Sequence, residues 1–321
     1  MLSGPTPTGL TPAPFFAEVA DGPDGAEAWW VEADDTTRLR LAVWPRGDKG
    51  TVLMFPGRTE YAEKYGRLAR DMAEQGYGMV ALDWRGQGLA DRPQHNPGMG
   101  HVIDFDEYQS DVAAFMAAIA DLDLPKPYYL IGHSMGGCIG LRALYNGLDV
   151  AAAAFTGPMW GIQIPGALRF IAPILFGIAE PLGLSKSYVP TLREWKALPF
   201  EGNILTSDPE QYAYMEHQTA THPELTLGGP SYTWLKLALA ESAALMRLPA
   251  LDLPVVAIVG TDERRVSQEA PKRRMADWPR GKLIMLDGAR HEILLEAPAL
   301  RQKALDAIIG LFNAHPRAAH A

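Results

Sequence analysis

The chain alternates between short apolar runs, which predict strands, and longer segments with apolar residues at helical spacing. Arg38–Trp44 alternates polar and apolar positions, as a half-buried strand does, and Thr51–Phe55 is apolar throughout, as in a strand covered on both faces. Further strands are predicted at Tyr77–Leu82, Tyr128–Ile131, Ala151–Phe155, Leu253–Val259 and Lys282–Leu286. Helices are predicted at Tyr61–Gln75, Phe105–Leu122, Ser134–Tyr145, Gln268–Ala276 and Ala297–Phe312.

This alternation is interrupted from about residue 157 to residue 246. The interrupting stretch is aromatic and rich in proline, helical in places and without a clear strand. Strand–helix alternation on both sides of an insertion predicts an α/β fold, with a mostly parallel sheet and helices on both faces. We therefore predict a core of residues 38–156 and 247–321, a mainly helical cap at 157–246, and a leader with a first edge segment at 1–37.

Composition and charge narrow the classes of function. The 321 residues are enough for a sizeable core, and a net charge of -9 argues against a nucleic-acid partner, whose binding sites are basic. Cys138 is the single cysteine, which excludes an intramolecular disulfide and a cysteine-rich metal site. We expect Cys138 to be a small buried residue of a helix.

The N-terminus has neither the positive charge nor the apolar run of a secretory signal. A membrane-spanning helix needs about 20 predominantly apolar residues, and the nearest segment, Gly166–Leu184, is interrupted by charges and prolines. We interpret that segment as apolar core or surface and expect a cytoplasmic protein.

One serine lies where a catalytic nucleophile would be expected. Ligands of parallel α/β sheets bind at the carboxyl ends of the strands. Ser134 follows a predicted strand there, in the stretch LIGHSMGG, with Gly132 and Gly136 on either side and a helix behind it. A sharp strand–turn–helix bend exposes such a serine, and the glycines remove side chains that would clash. We predict that Ser134 is a nucleophile; the alternative is a tight turn with an idle serine.

A serine nucleophile needs a base, and His291 has the expected position. It comes five residues after the predicted strand that ends at Leu286, late in the chain, where the histidine of a Ser–acid–His series lies. We expect His133, inside the bend, to point away from Ser134. His217 and His222 lie in the insertion and His315 and His320 in the tail.

The acid that orients the histidine should follow the preceding strand, and two neighbouring carboxylates, Asp262 and Glu263, compete for that role there.

The oxyanion that forms when a serine attacks a carbonyl needs two N–H donors. We predict the backbone amide of Met135, directly after the nucleophile, and that of Arg58, after strand Thr51–Phe55. The alternative for Pro56-Gly57 is a simple turn.

These motifs resemble the α/β-hydrolase superfamily, and within it the monoacylglycerol lipases and bacterial lysophospholipases, often called serine aminopeptidase-like hydrolases. The resemblance covers roughly residues 38–312. The segments that carry it are FPGRTEYAEKYGRLARDMAEQGYGMVALDWRGQG, GHVIDFDEYQSDVAAF, LIGHSMGG, GTDERRVS and DGARHEILLE. The usual His-Gly is replaced here by Pro56-Gly57, which leaves the backbone donor in place. Asp83 and Arg85 are structural residues by this resemblance.

The resemblance also orders the two candidate acids. The common form Gly-x-x-Asp-x-x-Val has its acid three residues after the glycine and three before the valine. Glu263 stands in that position relative to Gly260 and Val266, although Asp is more usual, and Asp262 remains the alternative.

The resemblance implies an α/β-hydrolase fold with a cap, and a serine hydrolase that cleaves carboxylic esters through an acyl-enzyme without a metal or cofactor. The expected substrates are acyl esters or lipids, most of all lysophospholipids or monoacylglycerols. The apolar segment IPGALRFIAPILFGIAEPLGL is a candidate for peripheral contact with the inner membrane. Alternatives are an acyltransferase, a non-catalytic binding protein, or a proline iminopeptidase-type peptidase, for which acidic anchors are available in the cap at Glu180, Glu194, Glu201 and Glu216.

Overall fold

The computed structural model describes residues 9–316 except 94, 164–165, 167–175 and 191–192. Within these residues the chain forms a nine-stranded sheet in the order β1-β2-β3-β5-β4-β6-β7-β8-β9. The strands are β1 (Thr11–Pro12), β2 (Glu27–Glu32), β3 (Arg38–Val43), β4 (Thr51–Phe55), β5 (Gly78–Asp83), β6 (Tyr128–His133), β7 (Ala152–Thr156), β8 (Val255–Gly260) and β9 (Gly281–Leu286).

The sheet is mostly parallel, as predicted. Strands β4 to β9 pair in parallel, whereas β1, β2 and β3 pair antiparallel at one edge. Every strand predicted from the apolar runs is present, with ends that differ by two residues at most. β1 and β2 were not individually predicted, because β1 is only two residues long and β2 has half-buried tryptophans rather than a clear apolar run.

Helices cover both faces of the sheet. They include α1 (Ala17–Ala20), α2 (Gly66–Glu74, preceded by a 3-10 turn at Ala62–Tyr65), α3 (Glu107–Asp121), α4 (Met135–Tyr145), α5 (Pro209–Thr221), α6 (Tyr232–Leu245), α7 (Glu269–Ala276) and α8 (Pro298–Ala314). One apolar core lies under α3, α4, α6 and α7 and contains Phe115 and Cys138. The second lies under α2 and α8 and contains Met72 and Phe312. Cys138 is buried, as expected.

Between β7 and β8 the described residues add helices to the molecule and no strand to the sheet. Helices α5 and α6 begin at capping side chains: Asp208 accepts from the Gln211 amide before α5, and Ser231 accepts from the Trp234 amide before α6. α6 packs on the core, where Arg142 of α4 pairs with Glu241.

Of the apolar segment expected to be core or surface, Gly166–Leu184, residues 167–175 lie outside the described residues. In its described part Ala179 is buried, whereas Ile178, Leu182 and Leu184 are exposed. In the described part of the chain, no helix has the length and apolar character needed to cross a membrane.

Candidate active site

Ser134 stands in a bend between β6, which ends at His133, and α4, which begins at Met135. Its backbone has φ 50° and ψ -115°, a conformation that non-glycine residues rarely adopt. Hydrogen bonds hold this conformation: the Ser134 amide donates to Thr156 O over 3.0 Å, and its carbonyl accepts from the Met159 amide over 2.9 Å. The strand–turn–helix context predicted for Ser134 is therefore present.

Gly136 explains why the start of α4 can approach the end of β4. A Cβ at this position would lie 2.0 Å from the carbonyl oxygen of Phe55. Only glycine permits that approach, which places the first turn of α4, with the Met135 amide, against the loop that follows β4.

His291 lies between Ser134 and Glu263. Its Nε2 is 3.0 Å from Ser134 Oγ, and its Nδ1 is 2.6 Å from Glu263 Oε2. Gly157, directly after β7, has φ 48°, and a Cβ there would lie 3.3 Å from both Glu263 Oε2 and His291 Nδ1. Sequence reasoning did not single out Gly157; its signal is a glycine immediately after a predicted inner strand.

Glu263 is buried and oriented by backbone amides. Its Oε1 accepts hydrogen bonds from the amides of Arg265 over 2.6 Å and Val266 over 3.2 Å. Burial acts to raise the pKa of Glu263, but the charge and hydrogen bond of His291 and these two amides outweigh it, so the pKa is lowered. The neighbouring Asp262 is exposed. Of the two candidate acids, the structure brings Glu263 and not Asp262 to His291.

The loop after β4, residues 56–60, is called the β4 loop below. The Arg58 guanidinium donates to Gly228 O from Nη1 over 2.9 Å and Nη2 over 2.8 Å, and it lies 5.3 Å from the centroid of the Trp234 ring. Burial and the like charge of Arg265 lower the pKa of Arg58 to about 10. The Arg58 side chain thus ties the β4 loop to the insertion, while its backbone amide is the predicted oxyanion donor.

A second group of charged residues lies behind Ser134, which we call the buried charge cluster: Glu60, Lys64, His133 and Glu292. As expected, His133 points away from the serine, with Nδ1 2.9 Å from Thr156 O. Its Nε2 lies 3.5 Å from Glu60 Oε1 and 3.4 Å from Glu292 Oε2. The Lys64 ammonium bonds the same two carboxylate oxygens over 2.6 and 2.8 Å. Sequence reasoning assigned no role to Glu60, Lys64 or Glu292.

The side chains of Glu60, His133 and Glu292 offer ligand atoms within 4.8 Å of one another, a spacing compatible with a metal ion. Lys64 already donates to one oxygen of each carboxylate. Because a cation of the chain itself neutralises these oxygens, the cluster does not fit a metal ion.

Asp83 and Arg85 have structural partners, as the resemblance implies. Asp83 accepts from Arg40 Nε over 2.8 Å, and Arg85 Nε donates to Asp111 over 2.7 Å. Each ion pair fixes the loop after β5, next to the β4 loop.

The other histidines named above are at different places. His217 is exposed, and His222 Nε2 lies 2.7 Å from Glu18 Oε1. His315 follows α8, and His320 lies outside the described residues.

Comparison with known proteins finds a matching family and relatives named as lysophospholipase and monoacylglycerol lipase. Residues 47–298 match the family described as serine aminopeptidase, S33. Lysophospholipase L2 of Escherichia coli (strain K12) is 31% identical over 298 residues, which are 90% of this chain and 88% of that protein. Monoacylglycerol lipase of Mycolicibacterium smegmatis is 26% identical over 81% of this chain and 88% of that protein.

Solved structures show the same fold. A soluble variant of monoglyceride lipase from Saccharomyces cerevisiae, in complex with a substrate analog, matches with a TM-score of 0.71 at 22% identity, over 90% of this chain and 95% of that one. A highly thermostable carboxyl esterase from Bacillus coagulans matches with a TM-score of 0.70 at 18% identity, over 90% and 98%. The α/β-hydrolase fold predicted from the sequence is confirmed.

Proposed function

The chain belongs to the serine aminopeptidase, S33 family, and from that premise we propose that it is a serine hydrolase of carboxylic esters, acting on lysophospholipids or monoacylglycerols. The observation that carries the proposal is the hydrogen-bonded series from the Ser134 hydroxyl through His291 to the buried carboxylate of Glu263. The activities named for the Escherichia coli and Mycolicibacterium smegmatis relatives support the choice of substrates.

In the proposed reaction, His291 Nε2 takes the proton of the Ser134 hydroxyl as Oγ attacks the ester carbonyl. The Glu263 carboxylate accepts a hydrogen bond from the Nδ1–H of His291, which keeps Nε2 unprotonated so that it can act as the base, and it stabilises the imidazolium that forms. The backbone N–H groups of Met135 and Arg58 donate to the oxyanion. The alcohol leaves with the proton from His291, and a water activated by His291 then hydrolyses the acyl-enzyme. This proposal involves no metal and no cofactor.

In this proposal residues 38–156 and 247–321 form the catalytic core, residues 157–246 act as a cap and residues 1–37 are a leader with the first edge of the sheet. The cap carries exposed apolar side chains, among them Leu182 and Leu198 at 65% and 63% exposure. A cavity of about 290 Å³ nearby is lined by apolar residues, among them Ile103 and Phe176, by Lys186 and Lys236, and by the acidic Glu180. Apolar residues beside lysines support peripheral contact with the inner membrane from the cytoplasm, because apolar side chains favour the lipid interface and lysines favour anionic headgroups.

The test is a substrate panel with the purified protein: lysophosphatidylcholine, a monoacylglycerol, p-nitrophenyl esters and aminoacyl-anilides. We expect cleavage of the esters, labelling by a fluorophosphonate, and loss of both in Ser134→Ala. Cleavage of the anilides alone would favour the peptidase alternative. Full labelling of Ser134→Ala would contradict the assignment of the nucleophile.

Membrane contact has its own test. We expect Leu182→Glu to reduce co-sedimentation with vesicles that contain phosphatidylglycerol, while p-nitrophenyl acetate hydrolysis stays unchanged. Equal co-sedimentation of the variant and the parent protein would argue against this face as the contact surface.

A further inference from the structure

The β4 loop contains two consecutive peptide groups, Pro56–Gly57 and Gly57–Arg58, which have different hydrogen-bond partners. In the Pro56–Gly57 peptide, the carbonyl oxygen accepts from Trp84 Nε1 over 2.9 Å, and the N–H donates to Glu60 Oε2. In the Gly57–Arg58 peptide, the carbonyl oxygen accepts from Gln87 Nε2 over 2.8 Å. The remaining group, the Arg58 N–H, has no acceptor among the described residues. The hydrogen bonds thus leave one donor of the two peptides available.

The bond from Gln87 determines the direction of that donor. In a trans peptide the C=O and N–H groups point to opposite sides of the chain, because the peptide unit is planar. When Gln87 holds the carbonyl of Gly57 on one side, the Arg58 N–H must face the other side. A rotation of this peptide would turn the N–H away and would present a carbonyl oxygen instead.

The Gln87 side chain is placed to prevent such a rotation. It is buried, and Nε2 also donates to the carbonyl of Glu60 over 2.9 Å, while Oε1 lies 3.3 Å from the Thr59 amide. Two carbonyl oxygens at Nε2 require the amide donor at that position, so the orientation of the amide is fixed by its partners.

The loop needs this support because it contains backbone strain. Thr59 has φ 68°, in the left-handed region that a β-branched residue rarely adopts. Such a conformation persists only where the surroundings hold it. Glu60 contributes from the buried charge cluster: Oε2 accepts from the Gly57 amide and the Tyr65 hydroxyl, and Oε1 bonds the Lys64 ammonium.

We propose that Gln87 and Glu60 are positioning residues that orient the Gly57–Arg58 peptide so that the Arg58 N–H faces the oxyanion formed at Ser134. This inference rests on the proposed serine hydrolase function. Neither residue touches the substrate; both act through the β4 loop.

The first variant is Gln87→Met, which keeps the length of the side chain and removes its hydrogen bonds. Loss of one oxyanion donor lowers kcat by about 10²–10³-fold in serine hydrolases. We expect Gln87→Met to lower kcat on a p-nitrophenyl ester by roughly 10²-fold with KM within about threefold, because the donor acts in the transition state. The rate of fluorophosphonate labelling of Ser134 should fall in parallel.

The second variant, Gln87→Glu, tests the role of Gln87 as a hydrogen-bond donor through the pH dependence of kcat. An ionised carboxylate cannot donate to the carbonyls of Gly57 and Glu60, whereas a protonated one has one O–H that can donate to one of them. The ratio of variant to wild-type kcat should therefore rise as the pH falls.

Glu60→Gln keeps an acceptor for the Gly57 amide but loses the charge that binds Lys64, and we expect a smaller loss of kcat than in Gln87→Met. Asp71→Asn, which removes the charge of the pair with Arg301 between α2 and α8, is the matched control.

The inference is overturned if folded Gln87→Met keeps kcat and the labelling rate within about threefold of the wild type. A variant in which KM rises while kcat stays unchanged would overturn it as well. If Gln87→Met does not fold, a pH-independent activity ratio for Gln87→Glu would overturn it. Wild-type protein that neither cleaves esters nor reacts with the fluorophosphonate would instead overturn the proposed function itself. Active wild type with unaffected Gln87 and Glu60 variants would remove this inference alone.

Discussion

Two buried histidines lie side by side in this protein, with 4.9 Å between their ring centroids, and their partners differ. His291 faces one carboxylate through Nδ1 and the Ser134 hydroxyl through Nε2. His133 faces the carbonyl of Thr156 through Nδ1 and the two carboxylates of the buried charge cluster through Nε2.

This difference separates the proposed base, His291, from a structural cation, His133. Both nitrogens of His133 face acceptors, which favours the doubly protonated ring. Burial alone would lower the pKa of His133, but the charges of Glu60 and Glu292 outweigh it and raise the pKa. His291 has a hydroxyl at Nε2, a partner that can give up a proton. Proximity to carboxylates does not by itself make a histidine a base; a donor at the second nitrogen is also needed.

The largest expected effect comes from replacing each of the two histidines with asparagine. We expect His291→Asn to lower kcat on a p-nitrophenyl ester by on the order of 10⁵–10⁶-fold, as loss of a triad histidine does. His133→Asn leaves the contacts of Ser134, His291 and Glu263 in place and should lose no more than about tenfold. Similar losses in both variants would mean that the two histidines do not differ in role as described.

The next test compares the neighbouring acids. Glu263→Gln should lower kcat by roughly 10⁴-fold, because the amide no longer favours the tautomer of His291 with a free Nε2. Asp262→Asn is the matched control, since Asp262 is exposed, and it should keep near-wild-type kcat. A large loss in Asp262→Asn with an active Glu263→Gln would reverse the assignment of the acid.

A substitution in the buried charge cluster should mainly lower the free energy of unfolding. Lys64→Met leaves two buried carboxylates without their ammonium partner, and removal of one member of a buried ion pair typically costs about 3–5 kcal/mol. Urea unfolding measures this change. Lys272→Met, which removes the exposed pair with Glu269, should change the free energy of unfolding by less than about 0.5 kcal/mol. Equal effects would show that the cluster is not the buried network described.

The smallest expected effect is a pH dependence of stability. Glu60, Glu292, Lys64 and His291 face His133, and the pKa of His133 is raised on folding. Its stabilisation is therefore fully present below the unfolded histidine pKa of about 6.5 and is lost as the pH rises through the folded pKa. The stability difference between wild type and His133→Asn should shrink as the pH rises through that range, measured by urea unfolding. A constant difference at all pH values would contradict a protonated His133.

Much of the fold follows from local patterns. Thr51–Phe55 and the other inner strands are short apolar runs, and inner strands of a parallel sheet are buried on both faces, so composition alone locates them. Ser134 could be singled out for the same reason, because the strand, the glycines and the helix that make its bend are contiguous in the chain. β1 and β2 carry no comparable signal, since an edge strand can be short and half-exposed.

The sequence by itself determined the alternation of strands and helices, the bend at Ser134 and the place of His291 after the last strand, since each depends on neighbouring residues. Only the tertiary structure decided between Asp262 and Glu263, whose side chains leave the chain in different directions, one to solvent and one to His291. It also brought Gln87 to the carbonyl of Gly57, 30 residues away, and Glu292 to Lys64. Such contacts join distant segments, and a buried polar group finds its partner through the packing of whole elements rather than through local sequence.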